Sequence, residues 1–231
     1  MHVVVASSAK GGVGKTTICR HLAVEAERVG DGPVALIDTD PMGGLSAWWN
    51  ERPGESPVFV PTTLAGLPDT LRRLSAAGVA IVIVDTPPAS GEVIHQVVRL
   101  ADLVVVPVRP SPDDLRAVGA TVDIVETEGK PMIFVINAAT KRARLTTQAA
   151  ITLSQHGAVA DPVIHRAEAY PTSSLGGLTV CELNPNGTPA QEIAALWKFV
   201  RGRLHKQNMQ ASKQATTPAS EHSRKATRIQ A

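Results

Sequence analysis

Apolar and polar positions divide this chain into two kinds of segment. Short, nearly unbroken apolar runs, rich in β-branched residues, recur at Val3–Ser7, Val34–Asp38, Ala80–Val84, Leu103–Pro107 and Met132–Asn137. A strand with one wet face would alternate apolar and polar residues, so an unbroken run points to a strand buried on both faces of a parallel sheet. Between the runs lie longer stretches with apolar residues every three or four positions, which is the helical period. Lys15–Val29 places Ile18, Leu22, Ala26 and Val29 on one stripe and meets Gly30 as its stop. Leu45–Asn50, Asp69–Ala77, Glu92–Leu100, Pro112–Glu128, Thr146–His156 and Pro189–Leu204 read as further helices. Val58–Pro61 reads as a short strand and Val163–Ile164 as the last one. The alternation predicts an α/β fold with a doubly wound, mostly parallel sheet and helices on both faces.

At 231 residues one such domain is expected, over residues 1–205. Residues 206–231 are polar, lack apolar periodicity and read as a disordered basic tail. That tail holds Lys206, Lys213, Arg224, Lys225 and Arg228 against Glu221, a surplus of +4 in a chain of net +2, so residues 1–205 carry −2. Affinity of the domain for a polyanion would therefore have to come from local patches. Aromatic residues make up only 3% of the chain, which leaves the core to Val, Leu, Ile and Ala. Cys19 and Cys181 form no C-x-x-C pair, so neither a disulfide framework nor an iron–sulfur site is indicated. No apolar run approaches the roughly 20 residues that span a membrane. Met1-His2 leads straight into the first strand, and a cytoplasmic location is expected.

The most chemically specific segment is Ala9-Lys10-Gly11-Gly12-Val13-Gly14-Lys15-Thr16-Thr17, between the first strand and the first helix. Gly14-Lys15-Thr16 is the closing half of a phosphate-binding P-loop. Its glycines let backbone N–H groups turn toward a polyphosphate, Lys15 reaches the β- and γ-phosphates, and the Thr16 hydroxyl is placed for Mg²⁺. The usual pattern starts with glycine where this chain has Ala9, and a second lysine, Lys10, precedes the glycine pair. Lys10 stands too early in the loop to do the work of Lys15. Its economical target is a second nucleotide across a dimer interface.

Three later strand ends carry polar residues toward the same edge. Asp38 and Asp40 close the second strand in Asp-Thr-Asp-Pro. Asp85 follows Ile-Val-Ile-Val, as in a Walker B strand that delivers a carboxylate to Mg²⁺. Asn137 ends the fifth long apolar run. Each signal has a bland counterpart, since Asp and Asn are frequent turn residues.

Lys10 to Thr17, Asp38-Thr39-Asp40-Pro41, Asp85-Thr86-Pro87-Pro88 and Val135-Ile136-Asn137 together resemble the deviant Walker A ATPases of the ParA/MinD class, in order and spacing the ParA branch. The resemblance covers roughly residues 1–204 and implies ATP and Mg²⁺ as ligands. Gly11, Gly12, Val13, Gly14, Lys15, Thr16 and Thr17 would bind nucleotide, and Asn137 would hydrogen-bond adenine, with the other wall of that pocket near Pro171. Thr16, Asp38 and Asp85 would serve the metal; Lys10, Lys15 and Asp40 would be catalytic. Thr86-Pro87-Pro88 would be a switch loop that senses the γ-phosphate. Relatives commonly carry Gln where this chain has Met42. The resemblance further implies an ATP-driven homodimer that binds nonspecific DNA, sits on the nucleoid, and answers to a ParB-like or centromere-binding adaptor as it positions a plasmid, chromosome or other cargo. Arg166, Lys198, Arg201 and Arg203 are the candidate phosphate contacts, with an ordinary solvated basic face as the alternative; Lys141, Arg142 and Arg144 share that ambiguity. A MinD-like membrane-associated positioning ATPase is the alternative function, and it requires an amphipathic C-terminal helix that residues 207–231 do not spell. No membrane partner is expected.

Overall fold

A computed structural model describes residues 1–89 and 91–215, with side chains through Lys206. The strands are β1 (His2–Ala6), β2 (Val34–Asp38), β3 (Val58–Phe59), β4 (Ile81–Asp85), β5 (Leu103–Val108), β6 (Met132–Ile136) and β7 (Ala158–Val159). The helices are α1 (Lys15–Arg28), α2 (Gly44–Asn50), α3 (Leu67–Ala76), α4 (Glu92–Arg99), α5 (Pro112–Thr127), α6 (Arg144–Ser154), α7 (Ala169–Ser174), α8 (Val180–Leu183) and α9 (Thr188–Ala215). The strands form one sheet in the order β3-β2-β4-β1-β5-β6-β7, every pairing parallel.

Strand periodicity sorts the core into two layers. Val4, Ala6, Leu36, Ile83 and Val105 face Ile18 and Leu22 of α1, Trp48 of α2, and Ile193, Leu196, Trp197 and Val200 of α9. Val3, Val5, Ile37, Val84 and Val104 face α3, α4, α5 and α6 through Leu67, Ile94, Val97, Val122, Val125 and Leu153. Each buried aliphatic side chain contributes about 1.5–3 kcal/mol by leaving water, and these layers are why the unbroken apolar runs are strands. Pro107 sits in a central strand without breaking a ladder. The N–H of Val104 points to β6, so by alternation the nitrogen at 107 faces β1, whose pairing with β5 ends at Val105.

Chain direction reverses sides of the sheet around β1: β2 and β4 lie to one side, β5 to the other. The carboxyl ends of β1 and β4 therefore open on a topological switch point, where such sheets place their ligands.

The structure corrects two expectations and adds two short helices. The last strand is Ala158–Val159; beyond the Asp161-Pro162 turn, Ile164 only bridges, its N–H donating to Ile136 O and its carbonyl accepting from Ala139 N, beside an isolated parallel bridge between Ala139 and His165. Two short helices, α7 and α8, fill the stretch after Arg166 that carries no apolar period. The last helix runs on past Leu204 to Ala215, into the segment expected to be disordered. Residues 206–215 are Lys, Gln, Asn, Met, Ala and Ser without glycine or proline, and adding residues to an existing helix avoids the nucleation cost. The rest of the expected tail, 216–231, lies outside the described residues.

Candidate functional site

The loop between β1 and α1 is shaped by its glycines. Gly14 caps α1 at φ 100° and ψ 25°, and Gly12 has φ +71°, both in the left-handed region where a side chain is strained. The turn lets α1 begin under the loop, so its first N–H groups and the positive end of its dipole face the cavity above. The side chain of Lys15 is buried, with Nζ 3.5 Å from Ser8 O. Burial lowers its pKa, while Asp85 and Asp40 oppose that shift.

Thr16 and Asp85 meet as the strand–helix geometry requires. The Thr16 hydroxyl donates to Asp85 Oδ2 at 2.5 Å. The other carboxylate oxygen, Oδ1, is buried without a hydrogen-bond partner. Desolvation pushes the Asp85 pKa up to about 7, against the Thr16 hydrogen bond. An unpartnered buried carboxylate oxygen beside a hydroxyl fits Mg²⁺, which takes one or two protein oxygens and completes its shell with phosphates and waters. Among the described residues no group of three His, Cys, Asp or Glu side chains could hold a metal by itself, so such an ion would need the nucleotide as co-ligand.

Asp38 is placed differently. Its Oδ2 accepts from the N–H groups of Leu45 and Ser46, both at 3.0 Å, and its Oδ1 accepts from Asp40 N at 3.0 Å. It thereby holds the first turn of α2 and shapes the loop that carries Asp40, leaving Asp85 as the carboxylate with an uncommitted oxygen. Asp40 is half-buried and accepts from Met42 N at 3.0 Å. Met42 is 87% exposed at the tip of that loop.

On the other side of the loop, a cavity of about 460 Å³ is lined by Gly12, Gly14, Thr17, Arg109, Asn137, Arg166, Tyr170 and Pro171. Asn137 and Pro171 thus share one cavity. The Asn137 amide donates to Val13 O at 2.7 Å, tying the end of β6 to the P-loop. Two arginines also stand here. Arg109 lies over the loop, where a Cβ on Gly12 would meet its Nη2 at 3.1 Å. Arg166, expected among DNA contacts, lines this cavity too. Lys198 and Arg203 line a separate cavity of about 430 Å³ on α9, joined by Lys206. Arg201 pairs with Asp31 at 3.1 Å, and Asp31 also accepts from Trp197 Nε1 at 2.7 Å.

Lys10 points away from the cavity. Its ammonium lies 3.1 Å from Asp114 Oδ2, near the start of α5. The two lysines of the loop therefore have different addresses within one protomer. Sequence reasoning missed Arg109 and Asp114. Ser111-Pro112-Asp113-Asp114 does announce a helix start, with Ser111 capping the Asp114 N–H, yet nothing local points to a lysine in the P-loop.

Comparison with known proteins gives the family. The chain is 32% identical over 208 residues to the maintenance of carboxysome distribution protein A of Gloeobacter kilaueensis, covering 87% of this chain and 93% of that one. It is 30% identical over 192 residues to the protein of the same name from Halothiobacillus neapolitanus, covering 79% and 88%. MinD in the MinC:MinD cell division complex of Aquifex aeolicus shares the fold, with a TM-score of 0.74 over 87% of this chain and 96% of that one at 18% identity. Residues 4–180 match the CobQ/CobB/MinD/ParA nucleotide binding domain, and the chain belongs to that family, that of the ParA/MinD P-loop ATPases.

Proposed function

We propose that this protein is a ParA-type positioning ATPase that binds Mg-ATP at the P-loop, dimerises on it, binds DNA without sequence preference, and lets go after hydrolysis. The observation that carries the reading is the divided use of two lysines, with Lys15 buried beside Ser8 O and Lys10 turned away from it onto Asp114. Lys15 and the loop N–H groups would hold the β- and γ-phosphates, and Lys10 would reach those of a second protomer. Asn137, Tyr170 and Pro171 would enclose the base. Asp40 would orient the attacking water, since its loop is anchored through Asp38 and it lies close enough to Lys15 to oppose, after Asp85, the lowering of that lysine's pKa by burial. Bound Mg²⁺, next to Thr16 and Asp85, would supply charge neutralisation on the phosphates.

Lys198, Arg203 and Lys206 on α9 form the patch best suited to phosphate contacts, which need positive charge and no base readout. An adaptor protein bound to the cargo would stimulate hydrolysis. The carboxysome-distribution names of the relatives favour a protein assembly as cargo, with plasmid or chromosome as the other choices. Sedimentation with Mg-ATP tests the core of the reading: the wild type is expected to dimerise and Lys10→Ala to remain monomeric while still binding nucleotide. A wild type that stays monomeric at every ATP concentration, or ATP-driven Lys10→Ala dimers of normal affinity, would refute it.

A further inference from the structure

Among the described residues, one cation packed against the P-loop backbone is uncommitted. Lys15 is buried beside Ser8 O, and Lys10 lies 3.1 Å from Asp114 Oδ2. Arg109 is exposed, and its guanidinium has neither a hydrogen bond nor an ion pair among the described residues. It stands directly after β5, which pairs in parallel with β1, so the two strands deliver Arg109 and the P-loop to one edge of the sheet. The guanidinium comes so near that a Cβ on Gly12 would meet its Nη2 at 3.1 Å. Its backbone is held on both sides. Asn137 N donates to Val108 O at 2.9 Å, and Ser111 N donates to Arg109 O at 2.8 Å. A permanent positive charge on a fixed backbone, with no carboxylate to neutralise it, is available to an incoming anion.

We propose that Arg109 binds a phosphate of the nucleotide held by its own protomer, and that this phosphate is one common to ADP and ATP. The proposal rests on the reading above that the P-loop holds Mg-ATP. The assignment within one protomer follows from the cavity, which Arg109 lines together with Gly12, Gly14, Thr17 and Asn137. Gly14 and Thr17 mark its loop end, and Asn137 and Pro171 its base end. The γ-phosphate lies farthest from the base, so a residue between these ends meets the α- or β-phosphate. The charge of the lining agrees, with Arg109 and Arg166 set against Glu168. A guanidinium offers a planar fork of donors that can hold two phosphate oxygens at once, where Lys15 offers a point charge. Such a contact outlasts hydrolysis. Arg109 therefore slows the release of ADP as well as helping to capture ATP, and so sets how long a protomer stays in its product state.

Calorimetric titration with Mg-ADP, on protein that sedimentation shows to be monomeric, keeps a partner subunit out of the measurement. Hydrogen bonds to a charged group change affinity by about 10-fold or more, and the exposure of Arg109 puts it at the low end of that range. Arg109→Gln keeps the polarity and loses the charge, and it is expected to bind Mg-ADP about 10-fold more weakly than the wild type. Arg109→Lys keeps the charge and loses the fork, and it is expected to fall between them, at about 3-fold. Added salt should narrow the gap between the wild type and Arg109→Gln, because the missing contribution is Coulombic. Without nucleotide, the unfolding midpoint of Arg109→Gln should match the wild type, since the exposed guanidinium has no internal bond to lose. A loss of binding that comes only with a lowered midpoint would make Arg109 a structural residue and overturn the proposal. Unchanged Mg-ADP affinity in Arg109→Gln would also overturn it; if dimers formed on a non-hydrolysable ATP analogue weakened at the same time, the guanidinium would belong to the partner's nucleotide. A wild type that binds neither Mg-ADP nor Mg-ATP would overturn the nucleotide reading itself, and this proposal with it.

Discussion

Gly14→Ala isolates what the P-loop geometry demands. Gly14 has φ +100°, and a methyl group there would stand 2.2 Å from Asn137 Nδ2. The substitution therefore has two costs. Placing an L-residue in the left-handed region costs about 1–2 kcal/mol. Displacing the Asn137 amide breaks its bond to Val13 O, 2.7 Å long and buried, which costs about 1–3 kcal/mol more. The expected loss of stability is about 2–5 kcal/mol, a large part of a typical domain's total. Urea unfolding of the nucleotide-free protein measures it without any assumption about function. Asn137→Ala provides the internal control. It removes the clash along with the bond, so Gly14→Ala and Asn137→Ala together should cost clearly less than their sum. Additive losses, or a Gly14→Ala variant within about 0.5 kcal/mol of the wild type, would refute the claim that Asn137 fills the space a Cβ would need.

Four further outcomes are expected. Lys15→Ala should abolish ATP binding in a filter or fluorescence assay, because the buried cation of the loop is lost; unchanged affinity would remove the P-loop assignment. Asp40→Ala should bind Mg-ATP, dimerise and stay on DNA longer while hydrolysing slowly, and wild-type phosphate release would move the catalytic role elsewhere, first to Asp38. Lys198→Glu and Arg203→Glu should each lower the salt dependence of DNA binding by about one unit of slope, whereas Arg166→Glu should weaken nucleotide binding instead; a salt slope unaltered by the α9 variants would discard that face. Burial and the neighbouring Arg20 push the His21 pKa down to about 3, against the Thr17 carbonyl. Below the ordinary value of 6.5 the unfolded chain takes up a proton that the native one refuses, so stability falls with acid, by about 2 kcal/mol from pH 7 to pH 5. His21→Asn should lose less over that interval, and an equal loss would contradict the assignment.

The sheet was legible in the sequence because strands buried on both faces leave unbroken apolar runs, as Ile81–Val84 does. The P-loop was legible for a different reason: glycines and lysines at fixed offsets are needed locally, whatever the rest of the chain does. Thr16 and Asp85 could be paired in advance because a loop after β1 and the end of the adjacent β4 must meet. What escaped was short or distant. β7 is two residues long and has no alternation to read, and α7 and α8 are each under two turns. The end of α9 was misplaced because residues 207–215 carry no apolar stripe in the sequence, and a helix without that stripe gives no periodicity to read. Ion pairs across the fold left no trace at all. Lys10 with Asp114 and Arg52 with Glu182 are ordinary surface-type residues in sequence, and only the topology brings them together.

The second of those pairs explains how a cavity walled by such short elements holds its shape. Arg52, just beyond α2, donates to Glu182 Oε1 at 2.6 Å and to Gly177 O at 3.0 Å, and its own side chain is only 8% exposed. Glu182 closes a capping box with Thr179 at the start of α8, accepting from its N–H at 2.8 Å. One residue on, the N–H of Val180 donates to His21 Nε2 at 3.2 Å, while His21 Nδ1 is bonded to Thr17 O at 2.7 Å on the helix below the P-loop. Gly177, at φ +65°, has no room for a Cβ, which would sit 2.4 Å from the backbone of Arg52. The end of α2, the turn before α8 and the first turn of α1 are thus locked by polar contacts at close range. Apolar burial alone would hold a four-residue helix poorly, since it has few side chains to bury. Directional bonds fix it instead, and with it Tyr170 and Pro171 on the preceding helix. His21 must stay neutral for its Nε2 to accept from Val180 while Nδ1 donates to the Thr17 carbonyl. The same burial that depresses its pKa therefore preserves the bond that joins the P-loop helix to the cavity wall.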